Sequence, residues 1–576
     1  MTVTYHDAIQ LKGVSLSYDG VQDILRNLNF AIRPGEFVGV VGAPASGKTT
    51  FLNLIAGIIP HYEPAIIKGQ IFIQGEDTQT LNLSKIAQRV GVVSQDPENQ
   101  LFNLLVKDEV VWGLENRGYE VCEMEGLLTD TLAFFNISTL RERITYDLSG
   151  GEKQRVALAA TYVSRPNILI LDNPTSQLDP AGSVMVIESI KRILQGHQTV
   201  IMVEDKIDEL LEHADRLLFL HNGEIVLDVP PKELGQHVEI LHKIGIRLPE
   251  VIQLEHQLQT QGVSLGRMPL HMNDAVVLFR ERLNGRSATM AAKQRSQSNT
   301  DTQLVISDVS FIYPPPRTIH ALQNINLAVQ RGSFLAIIGQ NGSGKTTLAR
   351  CVSGYLKPTH GKVTVNGTNV HQLRLQERVQ LISYVFQNPD HQIFKDTVRK
   401  DVEFGPENLG WSAGKITEHT DRVLRMLSLD RYADIHPFRL SQGNRQRLAI
   451  ASIAAMAPQI LIIDEPTTGQ DPVHARQVMD LLKALQAEGT TIIVVTHAMN
   501  LVGEYCDRVI ALSDGQILID DTPEQVFSHP EILEKTSVVP PPVAQLALLL
   551  GITPPPLTVD EAAKLFGELF SSYKYP

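Results

Sequence analysis

The chain has 576 residues and a mass of 63.8 kDa. Because single hydrophobic cores stop growing near ~250 to 300 residues, this length predicts two large domains. A composition of 43% hydrophobic and 20% charged residues is typical of a soluble globular protein and excludes a disordered or membrane-spanning chain. The formal net charge of −13 disfavours a nucleic-acid binder, whose surface is usually basic.

The N-terminal segment and the lengths of the apolar runs indicate that this chain could act at a membrane only by binding a membrane protein. MTVTYHDAIQLKG has no basic stretch followed by an apolar core, so we predict no secretory signal and a cytosolic chain. The longest apolar runs, such as 168–171 and 543–552, are shorter than the ~18 to 20 residues of a spanning helix. Three widely spaced cysteines, Cys122, Cys351 and Cys506, argue against a disulfide framework or a zinc site.

The same series of motifs occurs twice, which organises the chain. Lys48 and Lys345 occupy matching positions but are 297 residues apart, whereas the pairs given below are 292 apart. The first copy therefore has five extra residues, within IIPHYEPAIIKG. The segment RERLNGRSATMAAKQRSQSNTDTQ is polar and predicts a flexible linker. We predict a first domain with its C-terminal appendix over 1–280, a linker over 281–302, and a second domain with its own appendix over 303–576. Four pairs are each 292 positions apart: Gln95 and Gln387, Ser149 and Ser441, Asp172 and Asp464, Gly223 and Gly515.

In chain order, each copy begins with a strand, a glycine loop and a helix. The runs FVGVVG and FLAIIG end at the loops GAPASGKT (42–49) and GQNGSGKT (339–346), and helical spacing follows. Such loops wrap phosphate with backbone N–H groups, the lysine neutralises its charge, and the threonine takes Mg²⁺. The predicted ATP-binding residues are Gly42, Ser46, Gly47, Lys48, Thr49 and Thr50, and Gly339, Gly342, Ser343, Gly344, Lys345, Thr346 and Thr347.

Two further β-branched strands follow in each copy, and the first of them is the predicted Walker B strand. ILILD and LIIDE place Asp172 and Asp464 where a carboxylate holds Mg²⁺. An isolated aspartate at a strand end is as often a turn or helix-cap residue as a Mg²⁺ ligand. The presence of a phosphate loop in the same copy favours the Mg²⁺ ligand. Both copies are therefore predicted to be α/β domains that bind ATP and Mg²⁺.

The segments before the Walker B strands, LSGGEKQR (148–155) and LSQGNRQR (440–447), resemble the signature motif of ABC-type ATPases. The resemblance implies two tandem ABC-type P-loop NTPase domains, each with a RecA-like parallel-sheet core, a helical signature subdomain and an antiparallel β part. It implies that the signature of one domain covers the γ-phosphate of ATP held by the other. The signature residues are Ser149, Gly150, Gly151, Ser441 and Gly443.

The resemblance also implies roles for three other pairs of residues. In the family, the Q-loop glutamines sense Mg²⁺ and contact a membrane partner, and the D-loop aspartates follow the Walker B strand. A tyrosine near the start of each domain stacks on adenine, although a tyrosine that closes an early strand often only packs against its neighbours. These pairs are Gln95 and Gln387, Asp179 and Asp471, and Tyr18 and Tyr313. The implied Mg²⁺ set is Thr49, Gln95 and Asp172 in one copy, and Thr346, Gln387 and Asp464 in the other.

Three departures from the family pattern predict unequal ATP sites. Glu465, in the position of the carboxylate that polarises water, is matched by Asn173, which cannot act as a general base. His497, in the position of the histidine that contacts the γ-phosphate, is matched by Asp205, and Gln442 replaces the first signature glycine of the second copy.

If the domains pair head to tail, as in the family, all three departures fall in one composite site. The other site has Lys345, Glu465 and His497 as catalytic residues and an intact first signature. One hydrolytic site and one mainly ATP-holding site are the resulting hypothesis.

The Q-loop segments SQDPENQLFNLLVKDEVVWGLEN and FQNPDHQIFKDTVRKDVEFGPENLG resemble those of energy-coupling factor ATPases, the motors of vitamin and transition-metal importers. The resemblance implies a peripheral ATPase at the cytoplasmic face of the membrane, bound to a transmembrane coupling subunit and a separate substrate-capturing membrane protein. Contacts with the coupling subunit are expected near 95–104 and 387–394, where Leu101, Phe102, Ile393 and Phe394 are equally compatible with ordinary core.

Two other functions remain compatible with the motifs. A soluble twin-ABC ATPase acting on ribosomes or nucleic acid would usually have two intact sites and a long basic connector, unlike this chain. The motor of an exporter would use the same ATP chemistry. This sequence does not identify the transported solute, because specificity for the solute is expected to lie in the membrane partner.

Overall fold

The computed structural model describes residues 6–43, 46–175, 178, 180–204, 207–246, 248–283, 301–314, 318–467, 470 and 472–571. The chain divides into two compact units, Met1–His256 with Met268–His271, and Gln257–Arg267 with Met272–Pro576. Most of the predicted linker, 284–300, lies outside the described residues. No helix in these described ranges is long and apolar enough to cross a membrane.

The elements that precede the linker alternate between strands and helices. The strands are β1 (Ile9–Ser17), β2 (Asp23–Ile32), β3 (Phe37–Val41), β4 (Ile66–Ile73), β5 (Glu76–Asp77), β6 (Val90–Val93), β7 (Ile168–Asp172), β8 (Thr199–Val203), β9 (Arg216–His221) and β10 (Glu224–Val229). The helices are α1 (Lys48–Ile55), α2 (Ile58–His61), α3 (Leu83–Ala87), α4 (Val106–Glu115), α5 (Val121–Phe134), α6 (Gly150–Tyr162), α7 (Pro180–Gln195), α8 (Ile207–Leu211), α9 (Val238–Lys243), α10 (Glu250–Thr260) and α11 (Met272–Leu283).

Two sheets form the first unit. The six-stranded sheet has the order β10-β9-β3-β8-β7-β6, and its strands are parallel except for β10. The four-stranded sheet β2-β1-β4-β5 is antiparallel. All five residues of β3 are buried, as expected of a central parallel strand covered on both faces.

The elements after the linker repeat this series. The strands are β11 (Thr302–Tyr313), β12 (Ile319–Gln330), β13 (Phe334–Gly339), β14 (His360–Val365), β15 (Thr368–Asn369), β16 (Ile382–Val385), β17 (Ile460–Asp464), β18 (Thr491–Val495), β19 (Arg508–Ser513) and β20 (Gln516–Asp521). The helices are α12 (Lys345–Val352), α13 (Leu375–Leu381), α14 (Val398–Asn408), α15 (Ala413–Met426), α16 (Gln442–Ala454), α17 (Pro472–Ala487), α18 (Met499–Tyr505), α19 (Pro523–Phe527), α20 (Pro530–Thr536), α21 (Pro542–Leu549) and α22 (Val559–Ser571).

The second unit has the same two sheets as the first. Its six-stranded sheet has the order β16-β17-β18-β13-β19-β20, and its four-stranded sheet has the order β12-β11-β14-β15. The predicted strands ILILD, LIIDE, TVIMV and TIIVV form β7, β17, β8 and β18. The predicted α/β class, with a mainly parallel sheet and an antiparallel sheet in each half, is confirmed. In both units the carboxyl ends of the parallel strands carry the motifs described below.

The appendix helix α11 precedes the linker in sequence but belongs to the second unit by its contacts. Its Phe279 ring lies 4.6 Å from the ring of Phe566 on α22, and Arg280 donates to the carbonyl oxygen of Leu549 at 3.2 Å. Phe279 and Phe566 are fully buried. The last helix of the first appendix therefore packs in an apolar core with the second appendix, within that unit.

Candidate functional site

Each phosphate loop joins a buried strand to a helix. β3 and β13 lead into the loops, and α1 and α12 begin at Lys48 and Lys345. The N-cap residues Gly47 and Gly344 both have φ of 102° and provide no side-chain cap. The first N–H groups of each helix are therefore left for an acceptor from outside the helix, and such helix N-termini bind phosphate.

Two glycines of the second loop are required by close backbone contacts. A Cβ added to Gly339, which has φ of 145°, would lie 2.3 Å from the carbonyl oxygen of Leu512. A Cβ added to Gly344 would lie 2.4 Å from the carbonyl oxygen of Ala321. Since no real Cβ makes contacts this short, the sheet and the loop approach as closely as they do only because both residues are glycine.

The Walker lysines lie across their own loops. Lys345 Nζ donates to the carbonyl oxygens of Gly339 and Gln340, each at 2.8 Å. Lys48 Nζ makes the corresponding pair of bonds at 2.6 and 3.2 Å. Burial lowers the pKa of Lys345, and the neighbouring carboxylates, Glu465 among them, oppose that shift. The ammonium groups are thus held inside the loops that would receive phosphate.

The residues of the loops fit a nucleotide with Mg²⁺. Ser46 Oγ and Ser343 Oγ are buried and have no hydrogen-bond partner among the described residues. Thr49 and Thr346 occupy the second positions of α1 and α12. The described ranges contain no cluster of three His, Cys, Asp or Glu side chains that could hold a metal by itself. Mg²⁺ does not need one, because it is commonly held by one or two carboxylates together with substrate phosphates.

The two predicted adenine-stacking tyrosines lie beside these helices. Tyr18 Oη is 3.3 Å from Thr50 Oγ1, and Tyr313 Oη is 3.2 Å from Thr347 Oγ1. Each hydroxyl is therefore tied to the first turn after the phosphate loop. The Tyr18 side chain remains half-exposed, at 46%, so its ring has a free face.

The Walker B carboxylate of the second repeat has a partner that the sequence did not indicate. Asp464 ends β17 and is 1% exposed, and the Tyr384 hydroxyl donates to its Oδ2 at 2.9 Å. Burial raises the pKa of the Tyr384 phenol, and the charge of Asp464 raises it further. The phenol is therefore protonated, and a donor, at any physiological pH.

Glu465 and His497 approach each other beside this aspartate. Glu465 is 9% exposed and has φ of 52°, and its Oε1 lies 3.5 Å from His497 Nε2. The His497 side chain is 47% exposed, and its partial burial and then the positive charge of Lys345 lower its pKa to about 4. The imidazole is consequently neutral at pH 7, and its contact with Glu465 is a polar contact rather than an ion pair.

The first repeat has the same backbone at this point but different side chains. Asn173 has φ of 45°, and its N–H donates to Val203 O at 2.9 Å, as that of Glu465 does to Val495 O at 2.8 Å. Beyond β8, the buried Glu204 accepts from the N–H and the hydroxyl of Thr175, at 3.1 and 2.8 Å. The predicted degenerate residue Asp205 and the D-loop aspartates Asp179 and Asp471 lie outside the described residues.

The signature serines cap the helices that follow them. Ser149 caps α6 in a reciprocal box, because Glu152 Oε2 accepts from the Ser149 N–H at 2.8 Å. Ser441 Oγ accepts from the N–H of Asn444 at 3.4 Å, the same length as the bond from the N–H of Glu152 to Ser149 Oγ. Gln442 is exposed at the first position of α16, where the first repeat has Gly150. All five predicted signature residues thus lie at helix N-termini: Ser149, Gly150, Gly151, Ser441 and Gly443.

The Q-loops directly follow β6 and β16, and the predicted glutamines Gln95 and Gln387 are exposed there. A second glutamine holds each loop. Gln392 Oε1 accepts from the N–H of Phe386 at 3.1 Å, and its Nε2 donates to Ala449 O on the signature helix at 2.8 Å. Gln100 accepts from the N–H of Ser94 at 3.1 Å. Both copies have a glutamine five positions after the Q-loop glutamine, and this repeated position could have identified Gln100 and Gln392 from the sequence.

The apolar residues after the Q-loops divide into two sets. Leu101 and Ile393 are core residues, with 6% and 4% exposure. Phe102 and Phe394 are exposed at 53% and 58%. A buried carboxylate holds each segment: Glu109 accepts from the N–H of Phe102, and Asp401 from that of Phe394. The exposed phenylalanines therefore lie on backbone that is held in place by hydrogen bonds.

A strand-loop-helix phosphate site, a Walker B strand and a serine-capped signature helix, all in one α/β unit, define an ABC-type P-loop ATPase. The chain contains two such units. It belongs to the ABC transporter family, whose profile matches residues 25–176 and 322–468.

The chain is similar to relatives along nearly its whole length. A protein of Methanosarcina acetivorans named as an ABC transporter ATP-binding protein is 35% identical over 557 residues, covering 94% of this chain and 90% of the relative. One of Caldanaerobacter subterraneus subsp. tengcongensis with the same type of name is 34% identical, covering 96% and 98%. Among solved structures, CbiO1 from Clostridium perfringens, titled as part of the ABC transporter complex CbiONQ, is 35% identical, with 41% of this chain and 94% of that chain covered and a TM-score of 0.37.

Proposed function

We propose that this ABC ATPase is the energy-coupling subunit of a membrane importer of the energy-coupling factor type, for a vitamin or a transition metal. It acts from the cytoplasmic face of the membrane. Its partners are a transmembrane coupling subunit and a substrate-capturing membrane protein. Of its two composite ATP sites, one hydrolyses ATP and the other mainly holds it.

In both repeats the phosphate loop holds the nucleotide. The lysines Lys48 and Lys345 neutralise phosphate charge, and the tyrosines Tyr18 and Tyr313 stack on adenine. Mg²⁺, held by Asp172 or Asp464 with the loop threonines and Q-loop glutamines, supplies charge neutralisation for the phosphates. Following the family, each site is completed by the signature of the other repeat.

The hydrolytic step is assigned to the second repeat. Glu465 accepts a proton from the attacking water, and a neutral His497 donates an N–H to phosphate. The observation that carries the asymmetry is the presence of Asn173 where the second repeat has Glu465, on matching backbone. A buried amide cannot serve as a general base, and loss of such a group typically costs ~10²- to 10⁴-fold in rate.

A membrane partner is supported by the surface beside the Q-loops. Phe102 with Trp112, and Phe394 with Phe404, form small aromatic groups partly exposed to solvent on bonded backbone, which suits docking of another chain. The Q-loop sequences that carry them are those that resemble energy-coupling factor ATPases. Closing of the domains on ATP would move these segments together with the docked subunit.

The test is copurification of the full chain from gently solubilised membranes, with identification of the bound proteins by mass spectrometry. Recovery of a helical coupling subunit together with a small vitamin- or metal-binding membrane protein is the expected result. A matched preparation of the Phe102→Ser, Phe394→Ser double variant should recover neither, while its ATP binding persists. Recovery of ribosomes, or of an exporter subunit, would refute the import role and leave the ATPase assignment intact.

A further inference from the structure

The hydroxyl of Tyr384 reaches the Walker B carboxylate from the neighbouring strand. β16 and β17 are parallel, and Tyr384 lies opposite Ile462, two residues before Asp464. Side chains two positions apart on a strand share a face, so the tyrosine and the aspartate are on the same side of the sheet. At this register a tyrosine is long enough for its Oη to reach Asp464 Oδ2, at 2.9 Å.

This contact is buried and engages one carboxylate oxygen. Tyr384 is 9% exposed and Asp464 is 1% exposed, so water does not compete for the bond. Because Oδ2 accepts from the phenol, the bond restricts the orientation of the carboxyl group. Partners of this kind commonly orient the groups that bind a metal ion.

Two neighbours hold the tyrosine itself in place. Its ring meets the ring of Phe386, next to the Q-loop glutamine, edge to face at 5.0 Å. The guanidinium of Arg350, on the helix that follows the phosphate loop, makes a polar contact with the phenol. Tyr384 therefore touches side chains at the end of the Walker B strand, beside the Q-loop glutamine and on the helix that follows the phosphate loop.

The position that matches Tyr384 differs in the first repeat. Val92 occupies the position of Tyr384 and carries no hydroxyl. Asn53 occupies the position of Arg350, and its Nδ2 is directed to Glu63 Oε2 at 3.4 Å. The two Walker B aspartates are therefore supported differently, although both are aspartates.

We infer that Tyr384 is a positioning residue that orients Asp464 for Mg²⁺ through a bond that Val92, at the matching position of the first repeat, cannot make. The inference rests on the proposed role of Asp464 as a metal ligand. The two repeats would then differ in how they bind Mg²⁺ as well as in the catalytic carboxylate.

The test compares Tyr384→Phe with the wild-type full chain. Phenylalanine keeps the ring and removes only the oxygen. Mn²⁺ binding is titrated by electron paramagnetic resonance with a saturating non-hydrolysable ATP analogue, so no turnover is involved. Tyr355→Phe is the matched control, because Tyr355 also contacts Phe386 (5.6 Å) but is 63% exposed.

The expected result is that Tyr384→Phe weakens one of two Mn²⁺ sites by ~10- to 100-fold, the usual effect of removing such a partner. Binding of the analogue without metal and the Tyr355→Phe titration should match the wild type. Unchanged affinity at both sites, or equal weakening of both, would overturn the inference.

A second comparison separates this inference from the proposed function. In an Asp172→Asn background the remaining Mn²⁺ site should be that of the second repeat, and Tyr384→Phe should weaken it. If instead Asp464→Asn leaves both sites intact in the wild-type background, the ligand assignment itself is wrong. The hydrolytic asymmetry is measured by turnover, so its failure would not affect these titrations.

Discussion

His497 Nε2 lies 3.5 Å from Glu465 Oε1, and the low pKa of the histidine, about 4, makes this a contact between a carboxylate and a neutral imidazole. Because the imidazole carries no positive charge, His497 does not neutralise the Glu465 carboxylate. In the first repeat the residue that matches Glu465 is Asn173. The consequence is measurable in turnover.

Glu465→Gln should reduce ATPase turnover by ~10²- to 10⁴-fold, because the amide cannot accept the proton of the attacking water. Asn173→Gln should change it little, since that position already carries an amide. Phosphate release is measured at saturating Mg-ATP for both variants. ATP binding should persist in each, which shows that the loops are intact. Equal loss of turnover in the two variants would remove the basis for the proposed asymmetry.

Gly339→Ala should impair both stability and nucleotide binding of the second repeat. The backbone at φ of 145° is unfavourable for alanine by ~1 to 3 kcal/mol, and the added Cβ meets the Leu512 carbonyl at 2.3 Å. Gly414→Ala, on α15, is the control, because a Cβ there meets nothing within 4 Å. Thermal unfolding and nucleotide titration compare the two. Wild-type nucleotide affinity in Gly339→Ala would contradict the need for this close approach.

Gln392→Ala should loosen the Q-loop of the second repeat. It removes bonds to the N–H of Phe386 and to Ala449 O, and leaving such groups unpaired costs ~1 to 3 kcal/mol. Hydrogen exchange of the Phe386 amide is expected to accelerate, with a lower unfolding temperature. Gln380→Ala, at an exposed site of α13, should leave both unchanged. Unaltered exchange at Phe386 would show that the loop does not depend on this glutamine.

Stability should decrease in acid through His497. Its pKa falls from 6.5 to about 4 on folding, so between these values the unfolded chain binds more protons than the folded chain. The stabilisation is therefore complete above pH ~6.5 and is lost as the pH falls toward ~4. His497→Gln removes the titration, so the difference in urea midpoint between wild type and variant should change across this window. A constant difference from pH 4 to 8 would contradict the shift.

The sequence was most informative where function depends on local motifs. A phosphate loop, a Walker B aspartate and a signature serine are each read from a few adjacent residues, because each forms at the junction of one strand or loop with one helix. The strand-loop-helix placement of Lys48 and Lys345 was therefore expected. The repeat of the motifs was enough to predict two domains of one fold.

The sequence by itself determined the family, the two repeats and the chemical difference between Glu465 and Asn173. Only the tertiary structure decided that Leu101 is core while Phe102 is exposed, and that Tyr384 bonds to Asp464, 80 positions away. The reason is physical: burial and hydrogen bonding depend on which strands become neighbours. Pairing of β16 with β17 brings together side chains that no local pattern connects.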